Sequence, residues 1–554
     1  MQDKKYRILV IRLSSLGDII LTTPVLDVLK ENYRNSEICF LSKQRYQGLF
    51  ESDPRVDSVI YFEPEGKDKG FSGLLRLIRG LNQKKFDLIV DLHSNLRSLL
   101  IRLLVRAGKK VHYNKKIIPR LLMVHLKRWK VKPVSTIDNY LESLGEMGIK
   151  AWSRIPRLYS KNENKIWVEN FFIENGLEKK EILIGIAPGA RWETKKWELD
   201  KFFSVAKSLS QDLPAKILLV SDKDDQKLIE GIENYVGKGR TIQAIDLPLG
   251  RLILLVERCD LFISNDSGPM HLASALGVPT IGIFGPTSLG LGFSLSGLED
   301  KVFWTGVECS PCSLHGEKDC VKESRYCMDN IKPEKIIEEA KRILSANKVI
   351  FLDRDGTITE EKDFISKVEE IKFLPGSEEA LKIVQGLGYK LVIVSNQSGI
   401  ARGIMTVEQV EKVNNFILKE LAKEGIKIEA IYYCPHHPDE NCDCRKPRTG
   451  LIKRALRDHP LKLKGAWVIG DKLSDVLLGK NIKGESILVL TGYGQETKQK
   501  IESDSNGSDW QKPNYMAKNL LEAASFIESE RLQKSGGSKP NSSAGIQEKR
   551  ERRA

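Results

Sequence analysis

The 554-residue sequence has no apolar run of the about 18 uncharged residues that a membrane-spanning helix needs. Its start, MQDKKYRILVIRLSSLGDII, lacks the features of a signal peptide, because Arg12 and Asp18 interrupt the apolar run and no small-residue cleavage site follows. Cysteine is scarce, and seven of the nine residues fall within 309–327 and 434–444. These absences predict a cytoplasmic protein whose clustered cysteines serve metal binding rather than disulfide bonds.

The net charge of +14 is concentrated in two places. Residues 530–554 form a basic, polar tail with few apolar residues, which predicts disorder. Residues 97–132 hold twelve Lys or Arg and no Asp or Glu. This basic segment is either the solvated face of a helix or a surface for anionic lipid headgroups or a phosphorylated acceptor. No nucleic-acid-binding motif accompanies it, so we expect no nucleic-acid partner.

Short apolar runs alternate with helical patterns along most of the chain. RILVIRL, EICFL, SVIYF and FDLIVDL fall within 1–165, and ILIGIAPG, KILLVSD, DLFISND and TIGIFGP fall within 175–345. VIFLD, KLVIVSN and AWVIGD form a third set within 347–500. Runs of Val, Ile and Leu separated by helices are typical of parallel sheets covered on both faces. We therefore predict an α/β protein, with two doubly wound lobes around a cleft followed by a third, Rossmann-like domain.

Polar groups follow all three apolar runs of the third domain. They are Asp353, the pair Ser395 and Asn396, and Asp471. Since ligands bind beyond the carboxyl ends of parallel strands, these groups are expected to share one pocket. Asp353 could attack a phosphoryl group, and Asp355 could protonate the leaving alcohol and then activate water. Asp353, the carbonyl of Asp355 and Asp471 would offer the oxygen ligands that Mg²⁺ prefers.

A lysine between the second and third of these strands completes a known pattern. The set Asp353–Thr357, Ser395, Lys446 and Asp471–Asp475 resembles the haloacid dehalogenase superfamily. The resemblance implies that Ser395 and Asn396 hold phosphoryl oxygens and that Lys446 neutralises the charge of the transferring group. It also implies an aspartyl-phosphate on Asp353.

Two further stretches narrow the resemblance. SNQSGIARG (395–403) and CPHHPDENCDCRKP (434–447) are similar to the D-glycero-D-manno-heptose 1,7-bisphosphate 7-phosphatases. This similarity implies heptose 1,7-bisphosphate as substrate, with Arg402, Arg445 and Lys472 among the residues that bind it. Histidinol-phosphate phosphatases share the superfamily motifs and the cysteine loop, and they are the alternative for this domain.

The cysteine loop itself predicts a metal site. Cys434, His436, Cys442 and Cys444 are four soft ligands in one short loop, which suits a tetrahedral Zn²⁺. Such a zinc would be structural, because four protein ligands leave no position for water. It would shape the loop that presents Arg445 and Lys446 to the substrate.

Three residue patterns stand out in the first two lobes. Asp18 lies at the start of a helix, where it either caps the helix or serves as an ionised base. A strand ending at Asp266 leads into Ser267 and Gly268, which open a helix whose free N–H groups suit a diphosphate. Lys195 could neutralise a leaving diphosphate, or it could be an ordinary surface lysine.

These blocks resemble a known family over residues 6–345. RLSSLGD, PGA followed by KKW, and NDSGPMHLASALGVPTIGIFGPT are similar to the ADP-heptose:lipopolysaccharide heptosyltransferases of glycosyltransferase family 9. The resemblance implies a two-lobed glycosyltransferase-B fold and inversion at the anomeric carbon. It further implies that Asp18 is the general base, that Lys195 is the family lysine and that ADP binds at Asp266, Ser267, Gly268 and His271.

The family resemblance also sets the expected partners. The donor would be ADP-heptose, and the acceptor would be the lipopolysaccharide inner core, as Kdo-lipid A or its heptosylated form. Contact with the cytoplasmic face of the inner membrane is expected from the basic segment 97–132. The alternatives are transfer to protein or to another glycan, and a sugar-nucleotide-binding scaffold without activity.

The other cysteine cluster leaves two interpretations open. Cys309, Cys312, Cys320 and Cys327 could hold a second metal, zinc or iron, or they could be reduced thiols that pack a loop.

Overall fold

The computed structural model describes residues 5–125, 135–149, 154–160, 165–178, 180–287, 289–322, 324–503 and 512–534. The named strands in these residues form three sheets, and all neighbouring strands are parallel. The predicted α/β class is confirmed. No helix among the described residues is both long enough and apolar enough to cross a membrane.

The first lobe has a five-stranded sheet in the order β3-β2-β1-β4-β5. Its strands are β1 (Tyr6–Ile11), β2 (Ser36–Lys43), β3 (Ser58–Phe62), β4 (Phe86–Asp91) and β5 (Ala107–His112). Its helices are α1 (Leu16–Leu21), α2 (Thr23–Asn32), α3 (Gly70–Gln83), α4 (Leu96–Leu104), α5 (Ile117–His125) and α6 (Thr136–Gly145). Alternate residues of β1 enter the hydrophobic clusters on opposite faces of the sheet, with Ile8 and Val10 on one face and Leu9 and Ile11 on the other. Burial on both faces explains the continuous apolar sequence of this strand.

The second lobe has a six-stranded sheet in the order β11-β10-β9-β6-β7-β8. Its strands are β6 (Ile182–Ala187), β7 (Ala215–Ser221), β8 (Thr241–Ile245), β9 (Leu261–Asn265), β10 (Thr280–Phe284) and β11 (Lys301–Trp304). Its helices are α7 (Lys165–Glu174), α8 (Leu199–Asp212), α9 (Gln226–Val236), α10 (Leu249–Arg258), α11 (Gly268–Leu276), α12 (Tyr326–Asp329) and α13 (Pro333–Leu344).

The third domain has a six-stranded sheet in the order β14-β13-β12-β15-β16-β17. Its strands are β12 (Asn347–Leu352), β13 (Lys390–Asn396), β14 (Ile428–Cys434), β15 (Leu461–Gly470), β16 (Glu485–Val489) and β17 (Tyr515–Ala517). Its helices are α14 (Ser377–Gly386), α15 (Val407–Lys423), α16 (Gly450–Asp458), α17 (Leu473–Asn481), α18 (Gly494–Ser503) and α19 (Leu520–Lys534). The strands expected to carry the polar groups are β12, β13 and β15. They are neighbours at the centre of the sheet, which brings their carboxyl ends together.

The basic segment 97–132 is not one helical face. It contains α4, the edge strand β5 and α5, and residues 126–134 lie outside the described residues. Within the described residues β5 pairs only with β4, and Val111 is its one fully buried residue. The strand therefore carries no apolar pattern that the sequence could reveal.

The third domain continues beyond the predicted boundary at 500. Both β17 and α19 belong to it, and Ala517, Ala523 and Ile527 are buried in its core. The strand β17 has three residues, which is too short to show a periodic hydrophobic pattern, so it could not be predicted from the sequence. The helix α19 ends at Lys534, beyond residue 530, where the disordered tail was predicted to begin. Ile527 of this helix packs in the core of the third domain. Residues 535–554 lie outside the described residues.

Candidate active sites

The two lobes meet through α1 and α11, whose N-terminal ends face each other. A Cβ atom added to Gly17 would lie 2.6 Å from Cδ2 of His271, and one added to Gly268 would lie 3.1 Å from Cδ2 of Leu16. Since contacts this close leave no space for a side chain, glycine is required at Gly17 for the observed approach of the lobes. Asp18 and His271 therefore both lie where the two lobes meet.

Asp18 is a well-supported carboxylate at the start of α1. Its Oδ1 lies 2.9 Å from Arg12 Nη2, and its Oδ2 accepts hydrogen bonds from the Ser15 hydroxyl at 2.7 Å and the Ser15 N–H at 3.2 Å. Burial by itself would raise the pKa of Asp18, but Arg12 and Ser15 hold it below its usual value. Asp18 therefore both caps the helix α1 and stays ionised, two properties that the sequence analysis treated as alternatives.

The residues predicted to bind the diphosphate lie close together in the second lobe. Lys195 Nζ lies 2.6 Å from Asp266 Oδ2, and the Thr287 hydroxyl donates to the same oxygen at 2.7 Å. Ser267 is the N-cap residue of α11, so the free N–H groups of this helix begin beside the ion pair. The structure thus brings Lys195 to Asp266, and the contact of Lys195 with a diphosphate remains a prediction.

His93 lies near Arg12 and Asp18, and the sequence gives no sign of this position. Burial and the nearby Arg12 lower the pKa of His93 to about 3, so its imidazole is neutral. Its Nδ1 is buried without a hydrogen-bond partner. A single histidine after β4 belongs to no recognisable sequence motif. It is assigned to the site because it lies near Arg12 and Asp18 in the structure.

In the third domain the strand ends form a compact acidic centre. Asp353, Asp471 and Asp475 each place a carboxylate oxygen within 4.8 Å of the others. Lys446 enters this centre, with Nζ 3.0 Å from Asp353 and 2.6 Å from Asp475, and it also donates to the carbonyl of Val394 at 2.8 Å. The sequence motif contained Asp475, but the predicted ligand set left it out.

The charges of this centre favour an ionised Asp353 and a bound cation. Burial would raise the pKa of Asp353, but Lys446 and Lys472 hold it below its usual value. Burial and the neighbouring Asp353 raise the pKa of Asp471 to about 8. One oxygen of Asp471 accepts from the Tyr493 N–H at 2.8 Å, and the other is buried without a partner. A cation would satisfy that oxygen, so the residues fit Mg²⁺.

Asp355 is held away from the acidic centre. Arg354 grips its carboxylate with two hydrogen bonds of 2.9 and 2.8 Å, and Gln397 donates to it at 2.9 Å. Arg354 is fully buried and also donates to Asn414 at 2.9 Å, which fixes the guanidinium. The carboxylate of Asp355 is therefore a partner of Arg354 in this structure, and its predicted roles remain predictions.

Asn396 supports the lysine loop. Its Oδ1 accepts from the Lys446 N–H at 3.0 Å, and its Nδ2 donates to the Lys446 carbonyl at 3.3 Å. The Ser395 hydroxyl accepts from Gln397 at 2.8 Å. Contacts of both residues with phosphoryl oxygens remain predictions.

The three basic side chains that are predicted to bind the substrate have different surroundings. Arg445 has a buried Nη1 without a hydrogen-bond partner, which suits an anionic ligand. Lys472 pairs with Glu361 at 2.7 Å and lies 4.8 Å from the ring centre of Tyr493. Arg402 is exposed, and the structure does not bring it to the carboxylates.

The loop Cys434–Cys444 brings its four predicted ligands together. The close pairs among the sulfurs and His436 Nδ1 are separated by 3.1 to 3.6 Å, and all four ligand atoms lie within 4.8 Å of one another. Zn–S bonds of about 2.3 Å give a tetrahedron with edges near 3.8 Å, so the cluster fits a bound Zn²⁺. The cysteines are free, which excludes a disulfide.

The other four cysteines do not form such a cluster. Among the described residues, no three of the ligand atoms of Cys309, Cys312, Cys320 and Cys327 lie within 4.8 Å of one another. Cys312 instead contacts the carbonyl of Pro286, and Cys320 contacts that of Ser324. The geometry favours the interpretation as reduced thiols.

Comparison with family models divides the chain at the same place as the fold. The model of glycosyltransferase family 9 (heptosyltransferase) matches residues 74–320. A HAD-hydrolase-like model matches residues 443–523, and a model of the polynucleotide kinase 3 phosphatases matches residues 348–481.

Curated proteins and solved structures give the same division. A D-glycero-beta-D-manno-heptose-1,7-bisphosphate 7-phosphatase of Helicobacter pylori (strain J99) is 43% identical over 150 residues, which are 27% of this chain and 86% of that protein. The phosphatase of the same name from Pasteurella multocida is 39% identical over 152 residues, covering 26% of this chain and 83% of that protein. A family 9 glycosyl transferase structure from Veillonella parvula covers 62% of this chain and 98% of its own, with 24% identity and a TM-score of 0.52. This last likeness shows that the first two lobes share its fold.

Proposed function

We propose that this chain, which belongs to the D-glycero-D-manno-heptose-1,7-bisphosphate 7-phosphatase family through its third domain, is a bifunctional enzyme of heptose metabolism. Its family 9 unit transfers heptose from ADP-heptose to the lipopolysaccharide inner core, with inversion. Its third domain removes the 7-phosphate of heptose 1,7-bisphosphate. The observation that carries the phosphatase assignment is the buried Asp353 held between Lys446 and two further carboxylates.

In the phosphatase reaction, Asp353 is the nucleophile. A carboxylate oxygen of Asp353 bonds to phosphorus as the bond to the sugar oxygen breaks, and Asp355 gives that oxygen its proton. Asp355 then takes a proton from the water that hydrolyses the aspartyl-phosphate. Lys446 balances the negative charge on the transferring group. Because Arg354 holds Asp355 in the free protein, we expect Asp355 to turn toward the leaving oxygen only when substrate is bound.

The acidic centre is suited to Mg²⁺. Asp353 and Asp471 would hold the ion through carboxylate oxygens, and the carbonyl of Asp355 is the third proposed ligand. When bound, Mg²⁺ supplies positive charge against the phosphoryl oxygens.

In the transfer reaction, Asp18 is the general base. It takes the proton of the acceptor hydroxyl as that oxygen bonds to the anomeric carbon of heptose. Lys195 and the N–H groups at the start of α11 bind the diphosphate that leaves as ADP. Because Arg12 and Ser15 keep Asp18 ionised, the base is ready when the acceptor arrives.

The substrate of the phosphatase is tested by a comparison of phosphate release. We expect kcat/KM for heptose 1,7-bisphosphate to exceed that for histidinol phosphate by at least about 100-fold, since polar groups built for a sugar stay unpaired with the other substrate. Equal rates, or a preference for histidinol phosphate, would contradict the proposed substrate. The curated relatives favour the heptose substrate.

We further propose a structural Zn²⁺ in the cysteine loop. Replacing Cys442 with Ser should remove most of the bound zinc and lower the phosphatase rate by about tenfold or more, because the loop positions Lys446. Elemental analysis gives the zinc content per chain. The matched variant Cys309→Ser should keep both zinc and activity. A wild-type protein without zinc, or a Cys442→Ser variant with full zinc content, would contradict this site.

The basic segment is proposed to dock on anionic lipid at the cytoplasmic face of the inner membrane. Apolar side chains on α4 and α5, including Leu103 and Ile118, are exposed beside a segment that has only positive charges. We expect the full chain to cosediment with vesicles that contain phosphatidylglycerol, and Ile118→Glu to weaken this binding. Ile173→Glu, an equally exposed position on α7, is the matched control. Equal binding to neutral phosphatidylcholine vesicles would contradict the proposal.

A further inference from the structure

A buried chain of hydrogen bonds links the transferase unit to the lysine loop of the phosphatase. Arg157 Nη2 donates to Asn481 Oδ1 at 2.6 Å, and Asn481 Nδ2 donates to the carbonyl of Pro447 at 2.8 Å. Arg157 and Asn481 are 6% and 4% exposed. Hydrogen bonds from a charged donor in such surroundings are among the stronger ones in proteins.

Arg157 is firmly held on the transferase side. Its N–H donates to the Thr23 hydroxyl at 3.0 Å, and its carbonyl accepts from Arg55 Nη2 at 2.9 Å. Arg55 is itself fixed by ion pairs with Asp53 at 2.6 Å and Asp27 at 2.9 Å. The guanidinium of Arg157 is therefore an anchored donor that reaches into the third domain.

At the other end, the hydrogen bond falls next to Lys446. Pro447 has no N–H, so its carbonyl is the one main-chain group through which this residue can be hydrogen-bonded. Asn396 holds the peptide of Lys446 from one side, and Asn481 holds that of Pro447 from the other. These two supports hold the backbone from which the side chain of Lys446 extends to Asp353.

The packing of the two units does not depend on Arg157 alone. The Leu463 N–H donates to Glu299 at 3.0 Å, Lys464 pairs with Asp260 at 2.9 Å, and Leu298 packs against a hydrophobic cluster of the third domain. Arg157 can therefore be changed without removing the other contacts. Arg157 also lies outside residues 348–523, which the two phosphatase-type family models match.

We propose that Arg157 of the transferase unit is a positioning residue of the phosphatase. Through Asn481 it fixes the Lys446–Pro447 backbone, and thereby the ammonium group beside Asp353. This inference rests on the proposed phosphatase activity, but not on the identity of its substrate. It makes the transferase unit a structural part of the second active site.

The test is a set of variants of the full chain. Arg157→Leu should lower kcat of the phosphatase by about 5- to 20-fold and leave KM within about twofold, because a displaced Lys446 stabilises the transition state less well. Asn481→Leu should cause a similar loss, and the double variant should lose no more than the worse single variant. Arg157→Lys, which keeps a charged donor, should recover part of the rate. The interface control Lys464→Ala should behave as wild type.

Each assay is run with heptose 1,7-bisphosphate and with p-nitrophenyl phosphate, so that a wrong substrate assignment is distinguished from a wrong positioning role. If the wild-type chain acts on p-nitrophenyl phosphate but not on heptose 1,7-bisphosphate, the proposed sugar substrate is refuted. The kcat values of the variants and the wild type can then still be compared on p-nitrophenyl phosphate. Wild-type kcat in folded Arg157→Leu, or losses that multiply in the double variant, would overturn the positioning role. A parallel fall in heptose transfer and thermal stability would also overturn it, since that result indicates general loosening. A wild-type chain inactive on both substrates would refute both proposals.

Discussion

Asp353→Asn is expected to lower the rate of phosphate release by about 10⁴-fold or more, while heptose transfer stays within about twofold of wild type. Asn has nearly the size of Asp and can still accept the hydrogen bond from the Arg354 N–H. It loses the charge that faces Lys446 and the oxygen that would bond to phosphorus. The measurement is the initial rate of phosphate release from heptose 1,7-bisphosphate, with ADP release from ADP-heptose assayed on the same preparation.

The matched control is Asp458→Asn, which makes the same chemical change at an exposed residue of α16 paired with Arg457. It should retain the phosphatase rate. An Asp353→Asn protein with more than about a tenth of the wild-type rate would refute the nucleophile assignment, and a simultaneous loss of transfer would point to misfolding.

The second large effect concerns the transferase. Asp18→Asn should lower heptose transfer by about 10²- to 10⁴-fold, because the amide cannot take the proton of the acceptor hydroxyl. The ion pair with Arg12 is lost as well, and this leaves a buried guanidinium without its counter-charge, so some loss of stability is expected. ADP release in the presence of Kdo-lipid A measures the effect.

The phosphatase activity of the same Asp18→Asn protein serves as its folding control and should be unchanged. Asp138→Asn on α6, which alters an exposed ion pair between Asp138 and Arg154, should keep transfer intact. Transfer by Asp18→Asn at the wild-type rate would exclude Asp18 as the base. If wild-type protein binds ADP-heptose but transfers nothing, the first unit is a scaffold.

Much of the fold could be predicted because its central strands are buried on both faces. Such strands produce continuous Val, Ile and Leu runs, and their ends are marked by the polar residues that the chemistry needs, as at Asp353 and Asp471. The edge strand β5 and the short strand β17 carry no such signal, since an edge strand buries few side chains and three residues show no period. The cluster of four candidate metal ligands in the loop Cys434–Cys444 could be predicted because these residues are close together in sequence.

What the sequence could not give are contacts between residues that lie far apart in the chain or that depend on local turns. Successive side chains of an extended segment point in opposite directions, so the sequence gives no reason to expect contact between Arg354 and Asp355. In the structure, Arg354 donates two hydrogen bonds to the carboxylate of Asp355. His93 is assigned to the site of the transferase only because the structure places it near Arg12. The link from Arg157 to Asn481 spans 324 positions and joins two units that show no shared sequence pattern.

We propose that one chain carries two separate active sites for the same seven-carbon sugar. A single preparation of the unaltered protein, assayed for both reactions, decides whether this is so. We expect phosphate release from heptose 1,7-bisphosphate and, independently, ADP release from ADP-heptose when Kdo-lipid A or its heptosylated form is supplied. Failure of either reaction in folded, metal-supplied protein would contradict it.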